Sequence, residues 1–415
     1  MRNSGFRLII IGIMVLLDVY VFQAIKVVSH AASPKWKLII YGIYWTLSGA
    51  AILTLVLLPF LNYDSWPRAV RTYVFATIVG LFFAKIIAVV FLLLDDLRRL
   101  IQWASGKLFF PNTEGEAIGS EKISRSVFLS WVGLAAGGGL FATLMYGFSN
   151  KYNYEVRKIQ LAFNNLPQSF KGLRIVHISD IHSGSFTNKK AVEKGVELIL
   201  KQNPDIICFT GDLVNDRSNE MEMFMDVFGR LKAPLGVYSI FGNHDYGDYV
   251  IWDNPDIKRT NLENLKAVHA SLGWRLLMNE HVVIERGEDQ IAMLGIENWS
   301  AKRNFARYGR MADAYAGTEK YPFKILLSHD PSHWDAEVTM IYKDVDLMLA
   351  GHTHGMQFGV EVPGFKWSPV QYVYNKWAGL YEEGDQKLYV NRGFGFIGYP
   401  GRVGILPEIT LIQLV

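Results

Sequence analysis

Cysteine is nearly absent: the 415-residue chain holds one, Cys208. A single cysteine excludes an intrachain disulfide framework and any cysteine-based zinc knuckle. An excess of either charge is missing too. Lys and Arg number 42 against 39 Asp and Glu, a net charge of +3. No concentrated basic face stands out, so no nucleic-acid partner is expected. Internal repeats and low-complexity tracts are also lacking. What remains is length for at least two structural units, with most of the apolar excess in the first 150 residues.

A bilayer core about 30 Å thick needs roughly 20 residues of apolar helix. Four stretches qualify, at about 8–25, 38–61, 72–94 and 127–148. The first carries only Asp18, the third only Lys85, and the other two no charge. Such runs are too long for buried helices of a soluble protein. The first could be read as a signal peptide, but it lacks a small-residue cleavage site and three more spans follow. Residues 1–150 are therefore expected to form a transmembrane region and 151–415 a second domain. A charge inside a span costs about 2.5–3.5 kcal/mol unless paired or hydrated. Asp18 and Lys85 are expected to pair between the first and third helices or to meet the interface, with a polar pathway as the alternative.

The loop charges do not decide the orientation. One side has Lys26, Lys35, Lys37, Arg98, Arg99, Lys107, Lys122 and Arg125; the other has Arg2, Arg7, Arg68, Arg71, Lys151, Arg157 and Lys158. A balance of that kind is neutral by the positive-inside rule. The stretch Ser124-Arg125-Ser126-Val127-Phe128-Leu129 resembles a twin-arginine export signal that keeps one of its two arginines. It points to a multi-pass cell-membrane protein whose C-terminal domain is extracytoplasmic.

After Asn150 the pattern changes. Leu173–Ile178, Ile206–Thr210, Gly236–Phe241, Ile291–Ile296, Phe323–Ser328 and Val345–Ala350 read as buried strands. Lys189–Gln202 and Asn219–Leu231 have helical spacing between them. Strands alternating with helices indicate a layered α/β domain. Several strands run directly into metal-binding residue types, where an open α/β sheet places its ligand crevice. The runs are Ser179-Asp180-Ile181-His182, Thr210-Gly211-Asp212-Leu213-Val214-Asn215-Asp216, Phe241-Gly242-Asn243-His244-Asp245, Leu327-Ser328-His329-Asp330 and Ala350-Gly351-His352-Thr353-His354-Gly355. Each alone is weak, because a histidine after a strand is commonly a hydrogen-bonded structural residue. Five in order are not coincidence.

Two divalent cations about 3.5–4 Å apart can clamp a phosphoryl group and activate water. A shared carboxylate is needed, and Asp212 is the natural candidate. Mixed oxygen and imidazole donors suit Mn, Fe, Zn or Co better than Ca. Glycines 211, 242 and 351 permit the tight turns that bring such donors together.

The series resembles the calcineurin-like metallophosphoesterase superfamily, whose motifs run Asp-x-His, Gly-Asp-x-x-(Asn/Asp), Gly-Asn-His-(Asp/Glu), a lone His and Gly-His-x-His. All five lie in order within residues 172–357. The run from Lys171 to His182 is similar to a bacterial membrane-linked branch. That branch usually has a second Gly where Met356 stands. The resemblance implies a four-layer α/β/β/α sandwich with metals at the C-terminal edges of two sheets. It implies one ion held by Asp180, His182, His354 and bridging Asp212, and a second held by Asp212, Asn243, His329 and His352. His244 would act on the leaving oxygen or the transition state, with Asp245 orienting its imidazole. The implied reaction is hydrolysis of a phosphoester or pyrophosphate by metal-activated hydroxide. The tail from Asn391 to Leu411 resembles the family's closing strands.

The other histidines are expected to be structural. His177 lies within a strand, pointing away from Asp180; His30 sits in a loop between spans, and His269 and His281 in polar or amphipathic stretches. His333 borders the substrate pocket in one reading. Arg392 and Arg402 contact phosphate or form surface salt bridges. The overall expectation is a membrane-anchored dinuclear metallophosphoesterase acting on a phosphorylated small molecule or lipid-linked envelope substrate among membrane lipids. The alternatives are a transporter or sensor with a regulatory phosphoesterase module, and a catalytically dead binding scaffold.

Overall fold

The computed structural model describes residues 4–61, 66–109 and 124–415. Arg2 and Lys122, counted among the loop charges, lie outside them. The chain divides into two compact units, Met1–Tyr146 and Gly147–Val415.

The first unit is built from helices α1 (Ser4–Val28), α2 (Pro34–Leu57), α3 (Arg68–Phe109) and α4 (Val127–Asn150). Four helices among the described residues are long and apolar enough to cross a membrane. In lipid, helix contacts rely on close packing and hydrogen bonds, because burial from water contributes nothing. Both are present. A Cβ on Gly137 would stand 2.3 Å from the Ala84 carbonyl, and one on Gly133 3.0 Å from that of Ala88. Gly133 and Gly137 are thus the small residues that bring α4 against α3. Lys85 pairs with Asp18 and donates to Ser48 Oγ at 2.8 Å. Ser48 in turn donates to Asp18 Oδ1 at 2.8 Å, and Tyr44 to the Asp18 carbonyl at 2.7 Å. The two intramembrane charges therefore pair with each other through Asp18 Oδ1, while Asp18 Oδ2 is buried without a hydrogen-bond partner. Arg125 pairs with Asp96 at 2.9 Å, and Ser126 Oγ accepts from Leu129 N at 3.2 Å. The start of α4 thus gives these residues of the export-like segment a structural use.

The second unit has two six-stranded sheets. The first runs β1 (Glu155–Leu161), β14 (Glu408–Leu414), β2 (Arg174–Ile178), β3 (Ile206–Phe209), β4 (Val237–Ser239) and β5 (Arg275–Leu276). The second runs β12 (Gly379–Glu383), β13 (Gln386–Val390), β9 (Leu347–Ala350), β8 (Lys324–Leu327), β7 (Asp289–Gly295) and β6 (Glu280–Arg286). Strands β2, β3 and β4 are parallel, as are β7, β8 and β9. Being covered on both faces, β2, β3, β8 and β9 read as continuous apolar runs. Strand β1 carries Glu155, Arg157 and Lys158, which hide it from a search for such runs.

Alternating side chains split each sheet between two cores. Ile175, Ile206 and Cys208 meet Met293, Ile325 and Leu347 between the sheets. Val176 and Ile178 pack outward with Val192 and Val196 of α5 (Lys189–Leu200) and Leu265 of α6 (Pro255–Leu272). Leu326 and Met348 pack outward with Met311 and Trp334. The result is a four-layer α/β/β/α sandwich. The helix expected over Asn219–Leu231 is instead a 3-10 segment, Ser218–Phe224, followed by one α-turn, Met225–Phe228. Its start is tied down: the Glu220 carboxylate accepts from Asn215 N at 2.6 Å and Arg217 N at 3.3 Å.

Candidate metal centre

Parallel strands end on the same edge, so the residues that follow β2, β3, β4, β8 and β9 converge. Asp180 and His182 follow β2, Asp212 follows β3 and Asn243 follows β4; His329 follows β8, and His352 and His354 follow β9. Two groups result, Asp180–His182–His354 and Asp212–His329–His352, and within each the ligand atoms lie within 4.8 Å of one another. Asn243 joins the second, its Oδ1 2.8 Å from His352 Nδ1 and 3.1 Å from His329 Nε2. Asp212 Oδ2 lies 3.2 Å from His329 Nε2 and 3.5 Å from His182 Nε2, so one oxygen faces both groups. The structure thus brings together all seven residues expected as ligands.

The donor set fits cations. Nε2 of His182 and Nε2 of His354 face each other at 3.1 Å, and Asp180 Oδ1 is 3.2 Å from His354 Nε2. Among buried side chains of this unit, such convergence of acceptors is otherwise costly. The tautomers are set from outside. His329 Nδ1 lies 2.6 Å from the Thr210 carbonyl, which can only accept, so Nε2 is the atom left facing Asp212. Tyr374 donates its hydroxyl proton to Asp330 at 3.1 Å and therefore accepts from His352 Nε2 at 2.9 Å. That leaves His352 Nδ1 facing Asn243. Such outer partners orient metal-binding imidazoles. Burial pushes the Asp212 carboxyl up, but the imidazoles of His329 and His244 outweigh it and hold it well below the usual carboxylate range. Burial also disfavours a proton on His329, yet Asp212 pulls its imidazole up to about 10. A cation at that position displaces the proton.

The backbone is bent to aim these groups. Asp180, His182, Asp212, His352 and His354 all have φ between 47° and 70°, a left-handed conformation costing about 1–2 kcal/mol per residue. Such outliers concentrate at functional sites. Met356 shares it, with φ 54°, where a glycine would be unstrained. Room is made elsewhere: a Cβ on Gly351 would stand 1.9 Å from Ser179 Oγ, and one on Gly242 2.2 Å from Asp212 Oδ1.

One expected role is corrected. Asp245 does not orient His244. Its buried carboxylate accepts from the backbone N–H of Gly242, Asp212 and Leu213, each at 2.8 Å, and of Val214 at 3.3 Å. Burial and the Asp212 charge push it up to about 7, against the N–H donors of Gly242, Asp212 and Val214. His244 is held instead by the Asn215 carbonyl, 2.8 Å from Nδ1, and its ring lies 4.5 Å from that of Tyr249, tilted by 39°. Tyr249 also accepts from Asn243 Nδ2 at 2.9 Å, turning the Asn243 oxygen towards the cluster.

The remaining residues are structural. His177 is buried and bonds Thr210 Oγ1 at 2.9 Å. His269 is buried against Ser239 Oγ at 2.9 Å, and His281 Nδ1 donates to the Ala314 carbonyl at 3.0 Å. His333 is fully buried and locked between Ser328 and Glu337, each at 3.0 Å. Neither arginine is at the surface. Arg392 is buried in ion pairs with Glu408 and Glu361, both at 2.6 Å. Arg402 donates to the carbonyls of Arg392, His354 and Gly393 at 2.7–3.1 Å and packs against His354.

Comparison with known proteins agrees with this geometry. Residues 2–151 match the family "Probable Calcineurin-like phosphoesterase, transmembrane domain", and residues 173–356 match "Calcineurin-like phosphoesterase". Phosphodiesterase YaeI of Escherichia coli is 30% identical over 269 residues, 63% of this chain and 88% of that protein. The chain belongs to the calcineurin-like metallophosphoesterases. This metallophosphoesterase is also 30% identical to the uncharacterized metallophosphoesterase YkoQ of Bacillus subtilis, over 59% of its own length and 84% of the relative's. With a transmembrane protein with metallophosphoesterase domain from Danio rerio it shares 30% identity over 63% of its length, spanning 57% of that relative. It is a multi-pass membrane protein, and its family uses divalent metals.

Proposed function

We propose that the chain hydrolyses a phosphoester or pyrophosphate bond with two divalent cations, on a phosphorylated substrate met at the membrane. The observation that carries this is Asp212, one of whose oxygens faces both ligand groups, 3.5 Å from His182 and 3.2 Å from His329. Asp180, His182, His354 and Asp212 would hold one ion; Asp212, Asn243, His329 and His352 would hold the other. The mixed nitrogen and oxygen donors suit Mn, Fe, Zn or Co. When bound, such a pair polarises the phosphoryl group and lowers the pKa of water.

The chain's own residues do the rest. The Asn215 carbonyl accepts a hydrogen bond from His244 Nδ1–H, which leaves Nε2 to hold or deliver a proton at the leaving oxygen. The His244 backbone N–H donates to Asp212 Oδ1 at 2.8 Å, so the acid–base group and the bridging carboxylate are set as one piece. A lipid-linked or envelope substrate suits a site carried by a multi-pass protein. The export-like segment Ser124–Leu129 supports an extracytoplasmic site. The Asp18–Lys85 ion pair gives no support to a transport pathway, and the complete ligand set gives none to a dead scaffold.

The test uses the full chain in detergent with bis-p-nitrophenyl phosphate and p-nitrophenyl phosphate. Asp212→Asn is expected to lower bound metal and cut turnover more than about 100-fold, beyond the loss typical of an outer partner. His244→Ala should cut turnover about 10²–10⁴-fold with metal content unchanged. Metal lost from His244→Ala would sink the role given to it.

A further inference from the structure

A hairpin of β10 (Val360–Val362) and β11 (Phe365–Trp367) stands apart from the two sheets. Its register pairs Val360 with Trp367, Glu361 with Lys366 and Val362 with Phe365. Directly paired residues share a face, so Val360, Val362, Phe365 and Trp367 lie on one side and Glu361 and Lys366 on the other. A hairpin in water turns its charges out and its apolar side in. This one leaves its apolar side out, and of its two charged residues Glu361 is turned in while Lys366 stays exposed. Glu361 turns inward to Arg157 at 2.8 Å and Arg392 at 2.6 Å. Lys366 donates to the Ala378 carbonyl and lies over the Trp377 and Tyr381 rings. Val360, Val362 and Phe365 are left 47%, 52% and 57% exposed.

The strip continues towards the metal centre. Tyr372 and Val373 are exposed and lead into Tyr374, whose hydroxyl meets His352. The exposed Met356 stands two residues after His354. Isolated apolar residues on a surface are ordinary, but a continuous run beside a site marks an interaction surface.

We propose that this hairpin face lies against lipid and brings the metal centre to an amphiphilic phosphoester held in the membrane. The lipid surface is chosen over other occupants because the chain is itself membrane-embedded. Only residues 151–154 separate α4 from β1, and five chain steps reach roughly 17 Å at full extension. The second unit therefore starts next to a bilayer. Exposed Phe365 and Tyr372 are also of the aromatic kind that settles at the headgroup boundary.

The test places a spin label on the full chain in nanodiscs of phosphatidylcholine and phosphatidylglycerol. Cys208, the only cysteine, is fully buried, so Val362→Cys, Phe365→Cys and a control, Asp385→Cys, each provide one accessible thiol. At 362 and 365 the label should collide more with oxygen than with a nickel chelate, and at 385 the reverse. Preference for nickel at 362 and 365 overturns the proposal, since the face is then in water. Shielding from both reagents also overturns it, because a protein surface, such as a second copy, covers the face.

The substrate half rests on the metallophosphoesterase chemistry proposed above, whereas the labelling half does not depend on turnover. Val362→Asp with Phe365→Asp should raise KM for a lipid phosphoester by at least about tenfold, since each lost apolar contact is worth about that factor or more. Turnover of soluble p-nitrophenyl esters should be unchanged. Equal losses on both substrates would overturn the substrate half.

Discussion

The two units bury charge in opposite ways. In the membrane unit Asp18 and Lys85 face one another, with Ser48 and Tyr44 closing the set. In the second unit Asp180, Asp212, His182, His329 and His354 are all buried, and their acceptor atoms turn towards common points. One set turns its charges on each other, with Asp18 Oδ2 alone left without a hydrogen-bond partner; the other turns its acceptors on common points that a cation would fill. A buried polar group without a partner is costly, so the direction in which buried charges are left open distinguishes a structural pair from a binding site.

The strongest test of the comparison breaks the self-contained pair. Asp18→Ala or Lys85→Ala is expected to lower stability by about 3–5 kcal/mol, the cost of stranding one buried charge. Replacing both by Leu should recover most of it. Thermal denaturation of the full chain in detergent reads each variant, and equal losses for single and double variants would show that the pair is not self-contained.

A smaller change probes the open set. Tyr374→Phe removes the acceptor of His352 Nε2 and should weaken one of two metal sites about 10–100-fold. Metal titration would show it as weaker binding at one step, and unchanged binding would remove Tyr374 from the site.

Next in size is a pH effect. Burial pushes His269 down to about 3 and His177 down to about 4. Both stay neutral in the fold while the unfolded chain takes up protons below about 6.5. Stability from these groups is thus complete above pH 6.5 and declines as pH falls towards 3. Asp216 and Asp346, each pushed by burial up to about 6, act in the opposite direction, so a difference is the right measurement. His269→Gln should flatten the decline by up to about 1.4 kcal/mol per pH unit, read by denaturant unfolding from pH 7 to 4.

The smallest effect is expected at Met356. Met356→Gly relieves a left-handed residue and should stabilise the second unit by about 1 kcal/mol with metal content unchanged. Destabilisation would mean that the methionine side chain contributes more than its backbone costs.

The ligand set was legible in the sequence because each member follows an apolar strand run, and parallel strands deliver their ends to one edge. The four-layer fold was legible only through family resemblance, since a short apolar run does not say which sheet it joins. The support around the ligands was hidden. The Asn215 carbonyl has no side-chain signature, and Tyr374 reaches His352 only through tertiary closure. Asp245 was misread because its neighbour in the motif is His244, whereas its carboxylate turns back to the loops of Asp212 and Gly242. The segment after Ser218 has helical spacing, but Glu220 ties it into a tighter coil.

Asp245 has one more consequence. By gathering four backbone N–H groups from two loops it works as a rivet: one side chain ties the turn after β3 to the turn after β4, so that a change at Asp245 would loosen Asp212 and Asn243 together.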